Sequence, residues 1–245
     1  MIKIFPNIEK LNTFAAEKFV EIANHAIENR RIFTVALAGG STPKSLYQLL
    51  SSGNFKDKID WSKVYFFFGD ERNVLPDADE SNFKMASENL FKPLQINDEN
   101  IFRWQTELTD AKKIAADYEE KIRHFFSSKT EMQFDLILLG IGADGHTASL
   151  FPYTTALHET EKIAVTNYVE KFKTTRLTLT FPTINNARNI IFLVAGEEKA
   201  ETLREVLEGE FEPEKLPSQN IRPKDGNLFW LIDKAVAKLL SNDGN

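Results

Sequence analysis

From Ile32 onward the chain alternates short, continuously apolar segments with amphipathic ones, and this alternation narrows the choice of fold more than any other feature of the sequence. Ile32 to Ala38, Val64 to Phe68, Phe134 to Leu139, Ile163 to Thr166, Arg176 to Thr180, Ile190 to Ala195 and Leu228 to Ile232 read as strands, with Ile101 to Trp104 as a further candidate. Strands apolar at successive positions are buried on both faces, which is the pattern of parallel sheets. Between them lie helical spacings. Asn7 serves as N-cap for a stretch reaching Arg31, with Leu11, Phe14, Ala15, Phe19 and Ile22 on one side. Pro43 sits where a first helical residue would, and Leu46, Leu49 and Leu50 give the next helix its apolar face. Ser81 to Phe91, Asp110 to Phe126, Glu197 to Leu207 and Asp233 to Leu240 complete the helices, and Gly209 to Pro223 reads as a long surface loop. The expected fold is α/β: a mainly parallel, Rossmann-like sheet with helices on both faces, in one domain spanning residues 1–245.

Composition excludes several functional classes. The 36 acidic residues outnumber the 30 Lys and Arg for a net charge of −6, which disfavours nucleic acid as a partner. There is no cysteine, so thiolate nucleophiles, Fe–S clusters and Cys-based zinc sites are all absent. The same absence fits a reducing cytoplasm. Met1 to Lys10 has no apolar run before a cleavage site, and the apolar runs are too short to span a bilayer, so no membrane partner is expected.

Three strand ends run into polar loops, where ligands of open α/β sheets bind. The first is Gly39-Gly40-Ser41-Thr42. Two glycines let backbone approach a ligand closely, and a helix start supplies unpaired N–H groups suited to phosphate. The segment equally fits a glycine turn with a hydroxyl cap; it is not a Walker A loop. The second is Asp70-Glu71-Arg72, three charges that belong either to a cleft or to a solvated edge. The third is Gly140-Ile141-Gly142-Ala143-Asp144-Gly145-His146. It spells G-x-G-x-x-G, but Asp144 would bring negative charge to a pyrophosphate, and Pro152 cuts short the helix that should follow. Taken as a site, it offers His146 and Asp144 for acid–base chemistry near neutral pH; taken as structure, it is a turn carrying a histidine. His25, His124 and His158 have no metal-ligand spacing relative to His146, so no metal is expected.

The strings Leu37 to Pro43, Phe68 to Arg72 and Gly140 to Pro152 resemble those of the 6-phosphogluconolactonase family, as do Arg176 to Thr180 and Ala195 to Ala200. The resemblance runs in order along essentially the whole chain. It implies the fold shared with sugar-phosphate isomerases and deaminases, no cofactor, and a small phosphorylated sugar lactone as substrate. By the same resemblance His146 is the general base and Asp144 orients it, while Arg72 stabilises the oxyanion or holds substrate hydroxyls. Gly39, Gly40, Ser41, Thr42, Asp70, Arg176 and Lys199 are the expected substrate- and phosphate-binding set. The related glucosamine-6-phosphate deaminases place an acidic residue where this chain has Phe151, which favours the lactonase over the deaminase. A non-catalytic sugar-phosphate sensor is the remaining alternative.

Overall fold

The computed structural model describes residues 1–129 and 131–241, so Thr130 and the last four residues of the expected 1–245 span lie outside the described residues. The chain opens with β1 (Ile2–Phe5) and α1 (Ile8–Arg30), followed by β2 (Phe33–Leu37), α2 (Ser41–Leu50) and β3 (Val64–Phe68). Next come β4 (Asp70–Arg72), α3 (Asn82–Ala86), α4 (Lys92–Leu94), α5 (Ala111–Lys129) and β5 (Leu136–Leu139). The second half contains β6 (Ala164–Val169), β7 (Thr174–Leu179), α6 (Phe181–Asn185), β8 (Asn189–Val194), α7 (Ala200–Glu208) and β9 (Asn227–Asp233).

Six strands form one parallel sheet in the order β1-β9-β8-β5-β2-β3. Chain order runs outward in opposite directions from the β5–β2 boundary, so the crevice at this switch point lies between the ends of those two strands. The loops after Leu37 and Leu139 are therefore neighbours. The strands are apolar because both faces are covered: every residue of β2 and β5 is buried. Much of the filling is phenylalanine, a ring with no polar tip to satisfy. Phe67 stacks on Phe102 at 4.7 Å between centroids and meets Phe134 edge-on at 5.1 Å.

Asn7 caps α1 as expected, its Oδ1 accepting from the Lys10 N–H at 3.0 Å. Several other expectations need correction. Ile163 to Thr166 and Arg176 to Thr180 do not join the parallel sheet. They form the hairpin β6–β7, which with β4 makes a second, antiparallel sheet in the order β4-β7-β6. The reason is connection length: the tight turn at Glu170–Phe172, closed by Lys173 at φ 48°, cannot make a parallel crossover. Ile101 to Trp104 contributes a single bridge from Ile101 to Phe66 instead of a strand. The helix expected from Asp233 shrinks to a 3-10 turn at Val236–Leu239, because Asp233 ends β9 and its carboxylate accepts from the N–H groups of Val236 and Gly196. Helix α2 begins at Ser41, two residues before Pro43, which the first turn tolerates because its missing N–H would have had no helical partner. The segment Gly209 to Pro223 is not simply a surface loop: Leu216, Ser218, Gln219 and Ile221 are buried. Strand β1 was not foreseen, since four residues with a lysine among them carry too little pattern.

Candidate active site

The end of β2 is pinned from below. The buried Tyr47 hydroxyl donates to the Ala38 carbonyl at 2.8 Å and accepts from the Ala38 N–H at 3.0 Å. Burial pushes this phenol far above its ordinary range, so it stays protonated and can fill both roles. Beyond it, Gly40 has φ 107°, a conformation open to glycine, and no side chain caps α2. The first-turn N–H groups at Ser41 and Thr42 thus remain for an anion.

The neighbouring strand is held the same way. The Tyr118 hydroxyl accepts from the Phe68 N–H at 2.7 Å and donates to the Phe68 carbonyl at 3.1 Å. The chain then enters β4, whose alternation divides the three charges. Asp70 and Arg72 face a cleft, whereas Glu71 is buried on the other side. Its carboxylate accepts from the N–H groups of Arg72, Asn82 and Phe83, each at 2.8 Å. Burial raises the Glu71 carboxyl to about 7 in spite of those three donors. Asp70 accepts from Ser149 Oγ at 2.6 Å, which ties β4 to the loop after β5.

That third loop is tightly wound. The Gly142 N–H donates to the His146 carbonyl at 2.9 Å, and a side chain at Gly142 would collide with the imidazole. Gly145 has φ 77° and packs under Leu216, while Ser218 donates to its carbonyl from both N and Oγ. The segment once read as a surface loop therefore clamps this turn. Within it, His146 Nδ1 is hydrogen-bonded to Asp144 Oδ1. A carboxylate only accepts, so Nδ1 carries a proton in this bond, and in the neutral imidazole the lone pair is on Nε2. Partial burial works against the Asp144 charge, yet the hydrogen bond and charge of His146, with Lys171 at 3.3 Å, hold its carboxyl well below the usual range. Phe151 stacks on the imidazole, and Phe172 meets Phe151 edge-on.

These elements enclose a cleft of about 290 Å³. Gly39, Gly40, Ser41, Thr42, Asp70, Arg72, His146, Arg176 and Lys199 all line it, and Asp144 stands directly behind His146. Arg72 and Arg176 are register partners across β4 and β7. Burial first, and the Arg72 charge second, lower the proton affinity of Arg176. Two like charges opposite each other on one strand pair repel, and both guanidinium groups line the cleft. Residues missed from sequence are Asn82, Ser149, Phe151, Lys171 and Phe172. Ser149 and Phe151 lie within Gly140 to Pro152, and the others have types common on any surface or in any core. Among the described residues no group of three or more His, Asp or Glu is placed to hold a metal ion, and no helix is long and apolar enough to cross a membrane.

Residues 6–230 match the family described as glucosamine-6-phosphate isomerases/6-phosphogluconolactonase. The chain is 40% identical to a 6-phosphogluconolactonase of Synechocystis sp. over 217 residues, 88% of each sequence. It is 36% identical to one from Nostoc sp. over 98% of each. Among solved structures, 6-phosphogluconolactonase from Trypanosoma brucei superposes with a TM-score of 0.86 at 30% identity, again over 98% of each chain.

Proposed function

The chain belongs to the family of glucosamine-6-phosphate isomerases and 6-phosphogluconolactonases, and from that premise we propose how its cleft hydrolyses 6-phospho-D-glucono-1,5-lactone to 6-phosphogluconate, a step of the oxidative pentose phosphate pathway. The observation that carries the mechanism is the Asp144–His146 pair, with its Nε2 side open to a cleft flanked by Arg72 and Arg176. A lactone is an activated ester, so water attacks C1 without a protein nucleophile. His146 Nε2 takes one proton from that water as its oxygen bonds to C1. Asp144, kept ionised, stabilises the imidazolium that forms. The tetrahedral intermediate collapses, the bond from C1 to the ring oxygen breaks, and His146 returns the proton to that oxygen. The product acid loses its remaining proton to solvent.

Arg176, Lys199 and the start of α2 hold the phosphate, and Arg72 reaches toward the same anion or the developing oxyanion. Phe151 supports lactone hydrolysis over deamination, because a phenyl ring stacked on His146 offers no acid for ring opening. We read residues 1–245 as one catalytic unit, since side chains of both sheets line one cleft, and as a cytoplasmic enzyme, which accords with its cysteine-free sequence.

The test uses freshly generated lactone with spontaneous hydrolysis subtracted. The protein accelerates hydrolysis, and His146→Ala lowers kcat by roughly two to four orders of magnitude. Turnover close to that of the unchanged protein removes His146 from the base role. Ammonia released from glucosamine 6-phosphate would support deamination, and lactone bound without turnover would support a sensor.

A further inference from the structure

Asn82 is buried at the first residue of α3, and strand β4 and the loop after β2 converge on its amide. Its Oδ1 accepts from Arg72 Nη1 at 2.8 Å. Its Nδ2 donates to the Asp70 carbonyl at 3.0 Å and lies 3.3 Å from the Asp70 carboxylate. From the β2 side, Gly39 leaves the space the amide occupies, since a Cβ there would run into Asn82 Oδ1. The Asn82 N–H is itself fixed by Glu71.

We propose that Asn82 is a positioning residue for substrate binding, aiming Arg72 at the anion held in the cleft. The geometry accounts for the residue type. Arg72 Nη1 gives one hydrogen to the Glu80 carbonyl at 2.5 Å and the other to Asn82, which leaves Nε and Nη2 out of these bonds on a residue that lines the cleft. The same side chain must accept from an arginine and donate to an aspartate. Only a carboxamide does both at this length. An aspartate would set its charge against Asp70 and compete with the ligand for Arg72, and an alanine would leave Nη1 without its acceptor. Asn82 lies below Arg72, so it acts through the guanidinium and does not touch the reacting atoms.

The inference rests on the lactonase reading only for the substrate's name, and the test separates the two. Asn82→Asp and Asn82→Ala are compared with the unchanged protein in two measurements: calorimetric binding of inorganic phosphate, and KM and kcat for the lactone. Circular dichroism selects folded variants. Asn82→Ala removes the acceptor from Arg72 without adding a charge, so it separates loss of the brace from competition by a new carboxylate. The expected result is phosphate binding weakened about tenfold in both variants, with KM raised by a similar factor and kcat changed by no more than about threefold. Phosphate affinity unchanged in either folded variant overturns the proposal, as does an unchanged protein that does not bind phosphate. A loss confined to kcat also overturns it. If the phosphate result holds and no lactone is hydrolysed, the positioning role stands and the lactonase reading falls.

Discussion

The ring of Phe151 lies nearly flat against the imidazole of His146, with centroids 4.0 Å apart and planes 25° from parallel. Together with the bond from Nδ1 to Asp144, this contact leaves the imidazole little freedom to turn about its own axis. Phe151→Leu keeps an apolar side chain but removes the flat support. We expect kcat to fall about tenfold with KM nearly unchanged, since small misplacement of a catalytic group is costly and binding energy is not involved. Steady-state kinetics on the lactone decide it. A rise in KM alone would mean that Phe151 contacts substrate and does not brace the base.

Tyr47 and Tyr118 each satisfy both backbone groups of one buried residue at a strand's end, Ala38 just after β2 and Phe68 at the end of β3. Removing either hydroxyl strands two polar groups in a dry interior. Tyr47→Phe and Tyr118→Phe should each lower unfolding free energy by roughly 1–3 kcal/mol, read from urea titrations. Tyr47→Phe should additionally raise KM, because Ala38 is the anchor from which the Gly39-Gly40 turn departs. Equal KM values in the two variants would separate the anchor from the phosphate loop.

Glu71 makes stability depend on pH with a defined sign. Its folded carboxyl, raised to about 7 by burial, lies above the unfolded value of about 4.3. Between those values the folded chain binds the extra proton, so this group's contribution is complete below about 4.3 and is lost as pH rises toward 7. Asp144 and Glu107, whose carboxyls are held low, are already ionised across that window and add no slope there. Urea midpoints should decline from pH 5 to pH 8 in the unchanged protein, and Glu71→Gln should flatten the decline. A variant with the same slope would move its origin to another group.

Arg176 and Lys199 approach the cleft from different sheets, so their contributions to anion binding should be separable. Lys199→Ala and Arg176→Ala are expected to raise KM for the phosphorylated lactone by about tenfold or more, with smaller effects on kcat. Higher ionic strength should weaken binding to the unchanged protein more than to either variant. A Lys199→Ala enzyme with ordinary KM would leave that lysine merely solvated at the rim.

Much of this site is legible in the sequence because its chemistry sits in contiguous strings at strand ends. His146 and Asp144 are two residues apart, and the glycines beside them mark a turn no other residue type would build. The parallel sheet is legible for a similar reason, since β3 and β5 are apolar throughout and β2 and β8 are apolar but for Thr34 and Asn189. What escapes depends on pairing between distant segments. Asp70 to Arg72 becomes a strand only because β7 lies beside it, and Asn82 owes its proposed role to its bonds with Arg72 and Asp70 of that strand. Phe172 faces the cleft because a hairpin turn happens to end there, and nothing in its neighbours' types announces that.

The pairing of β4 with β7 has a consequence for synthesis. Arg72 leaves the ribosome well before Arg176 exists, and at about 5–20 residues per second the wait lasts several seconds. Throughout that interval the short strand has no partner, and the pair of arginines that lines the cleft is only half made. Lys199 and the Ser218 clamp on Gly145 emerge later still. A nascent chain therefore has no means of capturing its ligand early. Catalytic competence therefore waits until Ser218 has been made, so that turnover reports a chain carried at least that far.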